Sequence, residues 1–143
     1  MTYQENYQKW VDFADLPDYL RRDLESMDEK TKEDAFYTNL EFGTAGMRGL
    51  IGAGTNRINI YVVRQATEGL ARLIESKGGN EKERGVAIAY DSRHFSPEFA
   101  FESAAVLAKH GIKSYVFESP RPTPELSFAV RHLNCFAGIM ITA

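Results

Sequence analysis

A single cysteine, Cys135, serves the whole 143-residue chain. No disulfide can therefore close within it, and a reducing compartment is the simple reading. The three histidines and that cysteine show none of the spacing that zinc ligands need. There is no basic excess either: 17 Lys and Arg face 20 Asp and Glu, a net charge of −3, so a nucleic-acid partner is not expected. No apolar run approaches the roughly 18 residues of a membrane span. Met1 to Asn6 offers neither a basic nor an apolar stretch, so no signal peptide is expected and the cytoplasm is the predicted location. What remains is an ordinary globular composition, 43% hydrophobic and 26% charged, long enough for one core.

Three textures follow one another. Residues 1–40 are polar, with Tyr7, Trp10 and Val11, then Leu20, Leu24 and Met27, at helical intervals broken by Pro17. They predict an N-terminal arm of two or three short helices. Residues 41–60 hold five of the eleven glycines, Gly43, Gly46, Gly49, Gly52 and Gly54, a density that marks tight turns or close backbone approach. From Ile60 onward helices and strands alternate. Val62, Val63, Ala66, Leu70, Leu73 and Ile74 mark one helical face, ended by Gly78 and Gly79. Residues 85–90, 113–118 and 136–142 read as strands. Ser96-Pro97-Glu98 and Thr123-Pro124-Glu125 read as helix starts, with Ser96 and Thr123 as N-caps. The predicted fold class is α/β: a three-layer αβα domain over 41–143, its sheet mainly parallel but mixed, preceded by the short helical arm of 1–40. The chain stops in an apolar strand, which reads as truncation.

In such sheets functional groups gather beyond the carboxyl ends of strands, here Asp91-Ser92-Arg93 and the loop from Ser119 to Thr123. In Phe42-Gly43-Thr44-Ala45-Gly46-Met47-Arg48-Gly49 the glycines let backbone N–H groups approach an anion, and Arg48 brings a planar fork suited to phosphate oxygens. Equally, the segment reads as a hairpin whose arginine pairs with a surface carboxylate. No Gly-Lys-Ser/Thr follows, which excludes a P-loop, and the spacing to Asp91 is poor for a dinucleotide fingerprint. Asp91 and Arg93 could pair with each other to fix their loop, or Arg93 could add positive potential beside a phosphate.

The order FGTAGMRG, YDSR, RPTPE and GIMITA, strand-embedded as described, resembles the α-D-phosphohexomutase family, most of all its bacterial phosphoglucomutases. The resemblance implies an isomerase, an intramolecular phosphotransferase of carbohydrate metabolism. It would interconvert glucose 1-phosphate and glucose 6-phosphate through a phosphoserine and glucose 1,6-bisphosphate. Mannose or pentose phosphates, or a non-catalytic ligand-binding module, are the alternatives. It implies substrate binding by Thr44, Gly46 and Arg48, and active-site support from Asp91, Arg93, Thr123 and Pro124. It implies a phosphoserine immediately after Ala143, outside this chain, so that the chain alone is inactive. Mg2+ would be held by a later domain of the same polypeptide, with no metal ligand in these residues. The partners implied are a phosphosugar and the remaining domains.

Overall fold

The computed structural model describes residues 1–43 and 46–142. These form two compact units, Met1–Val62 and Val63–Ala143.

The first unit carries three short helices: α1 (Tyr3–Val11), α2 (Asp18–Ser26) and α3 (Glu29–Phe36). Thr2 and Asp28 cap α1 and α3 by accepting from Glu5 N at 3.2 Å and Thr31 N at 2.8 Å, the role expected of such side chains. The apolar residues at helical spacing converge on one small core of Leu16, Leu20, Leu24, Ala35, Phe36 and Ala53. Tyr7 and Trp10 meet the Phe36 ring edge-on at 5.6 and 5.7 Å, the arrangement that ring quadrupoles favour. The last part of the glycine-rich stretch rests on α2 and α3, Ala53 N donating to Asp23 and Asn56 N to Ala35 O. Gly54, at φ +131°, comes so close to the Ala35 carbonyl that a Cβ there would lie 2.5 Å from its oxygen, so only glycine fits.

The second unit is the α/β body. Helix α4 (Ile60–Lys77), inside which the unit boundary falls, is followed by the single turn α5 (Glu81–Arg84), β1 (Val86–Tyr90), α6 (Ser96–Lys109), β2 (Ser114–Val116), α7 (Thr123–His132) and β3 (Ala137–Ile141). The described strands form one sheet in the order β2-β1-β3, both pairings parallel. β1 runs down the middle and is buried at all five residues, as expected for a strand covered on both faces. Val86, Ile88 and Tyr90 point toward Ala71, Ile74, Ala100 and Leu107 of α4 and α6. Ala87 and Ala89 point the other way, toward Leu126 and Cys135 under α7. Helices, sheet and helix make three layers, as the alternation predicts. Burial pushes the Cys135 thiol above its ordinary pKa, which keeps it protonated.

Two local readings need correction. Leu73 was expected on the buried face of α4 but is 49% exposed. The buried line runs through Val63, Thr67, Ala71 and Ile74, because the Thr67 hydroxyl donates to Val63 O and bonds Ser103 Oγ, and so enters the core satisfied. Ser96 and Thr123 are not N-caps. Phe95 and Pro122 hold those positions, and Ser96 and Thr123 are the first helical residues. A proline in the second position of the first turn is tolerated as well as one in the first, since neither N–H has a helical partner.

At the far end of α6, His110 is held between two carboxylates of α4. Nε2 lies 2.7 Å from Glu68, and Nδ1 meets Glu75. The Glu68 bond, then the Glu75 bond, raises the His110 pKa above its usual 6.5. The same bond to His110 lowers Glu68 below 4.5. A raised histidine stabilises fully below its unfolded value and loses that contribution as pH climbs through the folded one. A lowered carboxylate does the reverse, failing as pH falls. The clasp is thus complete between 4.5 and 6.5. Thermal melts between about pH 5 and 9 should show the parent losing stability on the alkaline side and His110→Gln losing none of that increment. Parallel curves for the two proteins would refute the assignment.

Candidate functional site

The carboxyl ends of the strands are tied together by their backbones. Asp91 N donates to Ile141 O at 3.1 Å, joining the exits of β1 and β3, and Arg121 N donates to Tyr90 O at 3.0 Å, bringing in the proline loop after β2. Over these ends lies an open cleft of about 580 Å3 lined by Asp91, Ser92, the loop Pro120 to Pro124, Met140 and Thr142. It is where the fold class puts ligands.

Asp91 organises the cleft. One carboxylate oxygen accepts from Ser96 Oγ at 2.7 Å and from Arg93 N at 3.0 Å. The other accepts from Thr142 Oγ1 and lies 3.6 Å from Arg93 Nε. Burial works against the ionised form, but the hydroxyls of Thr142 and Ser96, with the Arg93 amide and charge, outweigh it and hold the pKa below the usual 3.8. The loop that delivers these groups is bent at Phe95, a non-glycine residue at φ 68°. Such a backbone costs on the order of 1 kcal/mol and persists where the surroundings determine it. The bend starts α6 at Ser96, which is wholly buried, so its hydroxyl turns to Asp91 instead of capping the helix. Thr123 and Pro124 form the exposed opposite wall. Arg121 stands beside them, 3.4 Å from Glu125.

The glycine-rich segment belongs to the first unit. Gly43 and Gly46 exchange backbone hydrogen bonds at 2.9 and 3.1 Å, and Gly46 takes φ +100°. Thr44 lies outside the described residues, as does Ala143. Arg48 is exposed, and among the described residues no carboxylate pairs with it. Of the pair Asp91 and Arg93, joined at 3.6 Å, it is Asp91 that lines the cleft.

The sequence profile described as Phosphoglucomutase/phosphomannomutase, alpha/beta/alpha domain I matches residues 39–143. The chain belongs to this family. Among curated relatives, the Phosphoglucomutase of Staphylococcus epidermidis is 42% identical over 135 residues, 94% of this chain and 24% of the relative. That of Staphylococcus haemolyticus is 39% identical over 140 residues, 98% of this chain and 24% of the relative. That of one Staphylococcus aureus strain is 47% identical over 112 residues, 78% of this chain and 20% of the relative. The chain therefore spans about a quarter of the length of the relatives it matches. No solved structure matches significantly.

For this phosphoglucomutase/phosphomannomutase domain, the YDSR and RPTPE segments do meet at one cleft. Arg121 falls within the proline loop that the sequence points to, whereas Ser96 and Thr142 are not legible there as site residues. Ser96 was masked by its resemblance to a cap. Thr142 was read only as the end of a strand, although a hydroxyl at a strand's carboxyl end in this fold class is itself a signal. Among the described residues no three His, Cys, Asp or Glu side chains converge as metal ligands, and no helix is long and apolar enough to cross a membrane.

Proposed function

We propose that this chain is the first domain of a cytoplasmic phosphoglucomutase, which interconverts glucose 1-phosphate and glucose 6-phosphate by way of a phosphoserine and glucose 1,6-bisphosphate. The observation that carries the reading is the gathering of Thr142, Ser96 and Arg93 around Asp91 at the exits of β1 and β3. It sets the direction of the polypeptide just where the resemblance expects the phosphorylated serine. Phosphoryl transfer asks the protein chiefly for position and positive charge. Arg48 supplies a guanidinium with room for two phosphate oxygens. Arg93 and Arg121 lend positive potential to the cleft, and the Thr123 hydroxyl offers it a hydrogen bond. The family resemblance puts Mg2+ on a later domain of the full-length polypeptide.

The test uses the full-length protein. Mass spectrometry of the peptide spanning the first residue beyond Ala143 should find phosphoserine, and the same preparation should convert glucose 1-phosphate faster than mannose 1-phosphate. An unphosphorylated residue together with no turnover would sink the proposal. A preference for the mannose sugar would move the assignment to a phosphomannomutase.

A further inference from the structure

The loop between Leu50 and Asn59 is far better anchored than its glycine content suggests. Ala53 N donates to Asp23 of α2 at 2.7 Å. Thr55 Oγ1 donates to Thr38 O at 2.7 Å, and Asn56 Nδ2 to Asp34 O at 3.0 Å. Arg57, 7% exposed, pairs with Asp34 at 2.8 Å. At the end of this loop stands Asn59, only 2% exposed. Its Oδ1 accepts from Tyr61 N at 3.1 Å and Val62 N at 3.0 Å, capping α4. Its Nδ2 donates to Gly52 O and to Gly54 O, each at 2.9 Å. Two donors and two lone pairs are all a carboxamide has, so every hydrogen-bonding position of Asn59 is filled.

A cap alone does not require an asparagine. Serine or aspartate caps as well, and neither can donate twice. The extra capacity goes to carbonyls seven and five residues back, across the loop. The strand-like rungs beside them carry the backbone of the glycine segment: Ile58 N donates to Leu50 O at 2.7 Å and Gly52 N to Ile58 O at 3.1 Å. One residue further back, the Gly49 Cα is packed so that a Cβ would lie 3.1 Å from Leu40 and 3.6 Å from Ile58. Arg48 is the next residue, exposed and with no carboxylate partner among the described residues.

We propose that Asn59 is a positioning residue for Arg48. By clasping Gly52 and Gly54 while it caps α4, it fixes the backbone from which the Arg48 guanidinium reaches a phosphate. This rests on the mutase reading only for the identity of the ligand. A misplacement near 1 Å is enough to cost up to about a hundredfold in rate.

The experiment uses the full-length protein with Asn59→Ser, Asn59→Asp, Arg48→Ala and the Arg48→Ala/Asn59→Ser pair. Both Asn59 variants keep an acceptor for the helix cap and lose the paired amide donors, aspartate offering none and serine at most one. Amide hydrogen exchange at Gly52 and Ile58 should quicken by about tenfold or more in either variant, while the amides of α4 keep their protection. With glucose 1-phosphate, kcat/KM should fall roughly ten- to a hundredfold. That loss should vanish when Arg48 is already alanine, since nothing is left to misplace. Unchanged exchange at Gly52 and Ile58 would overturn the proposal, as would losses from the two sites that simply multiply. If the parent protein does not turn over glucose 1-phosphate at all, the mutase reading falls. The exchange measurement then decides the clasp by itself, with unaltered Gly52 and Ile58 amides overturning it. Should Asn59→Ser not fold, Asn59→Asp carries the same comparison.

Discussion

Arg48→Ala in the full-length protein is expected to abolish most of the proposed mutase activity and leave the fold unchanged. A hydrogen bond to a charged group is worth about 1.5–3 kcal/mol, so Arg48→Lys, which keeps charge but loses the bidentate fork, should lower kcat/KM roughly 10- to 150-fold. Arg48→Ala removes the charge as well and should lower it further. The side chain is exposed and, among the described residues, has no carboxylate partner. Stability should therefore stay within about 0.5 kcal/mol of the parent, as for surface positions generally. Steady-state kinetics and thermal melts on both variants make the check. Near-normal kcat/KM with a large drop in melting temperature would mean that Arg48 belongs to the scaffold.

Asp91→Asn is expected to damage both stability and activity. The substitution keeps the shape but replaces one acceptor oxygen by a donor, in a place where Ser96 Oγ, Thr142 Oγ1 and Arg93 N all donate. If the Ser96 hydroxyl, wholly buried, loses its acceptor, the cost is about 1–3 kcal/mol. Thr142 is released at the same time, and with it the direction in which the chain leaves β3. On the proposed function, a loss of up to about a hundredfold in kcat/KM of the full-length protein follows from misplacement of the proposed phosphoserine. The effect has a pH signature. Because the folded pKa is lowered below 3.8, the carboxylate's stabilisation is present above that value and is lost as pH falls through the folded one. Denaturant melts should therefore separate parent from variant at neutral pH and draw them together in acid. A gap that stays constant into acid would show that the Asp91 charge contributes nothing.

What could be read in the sequence was set by how local its cause was. β1 was legible because both its faces are buried, which forces a continuous apolar run. The two Pro-Glu helix starts were legible as starts but not as caps, since the cap residue is decided by the left-handed Phe95 and by Pro122, not by the letters that follow. The buried side of α4 was blurred by Thr67, a polar residue made apolar in effect by Val63 O and Ser103. Asp91 was visible as a candidate because it follows a strand, whereas its partner Thr142 is 51 residues away and only the sheet register joins them. Asn59 left no trace in composition. It is one of several small polar residues in that loop, and its importance comes from where its amide points.

The sheet order has a consequence for how the chain acquires its site. The central strand is made first, and its neighbour β3 last, with α6, β2 and α7 between them. On a ribosome, β1 must wait for roughly fifty residues before the partner on that side exists, and closing a loop of that length costs about 3.5 kcal/mol in chain entropy. Until β3 docks, Asp91 is an acid beside Ser96 with no Thr142 to hold, and the cleft has one wall missing. The site is thus the last thing this unit assembles, and an incompletely synthesised chain cannot carry a formed one.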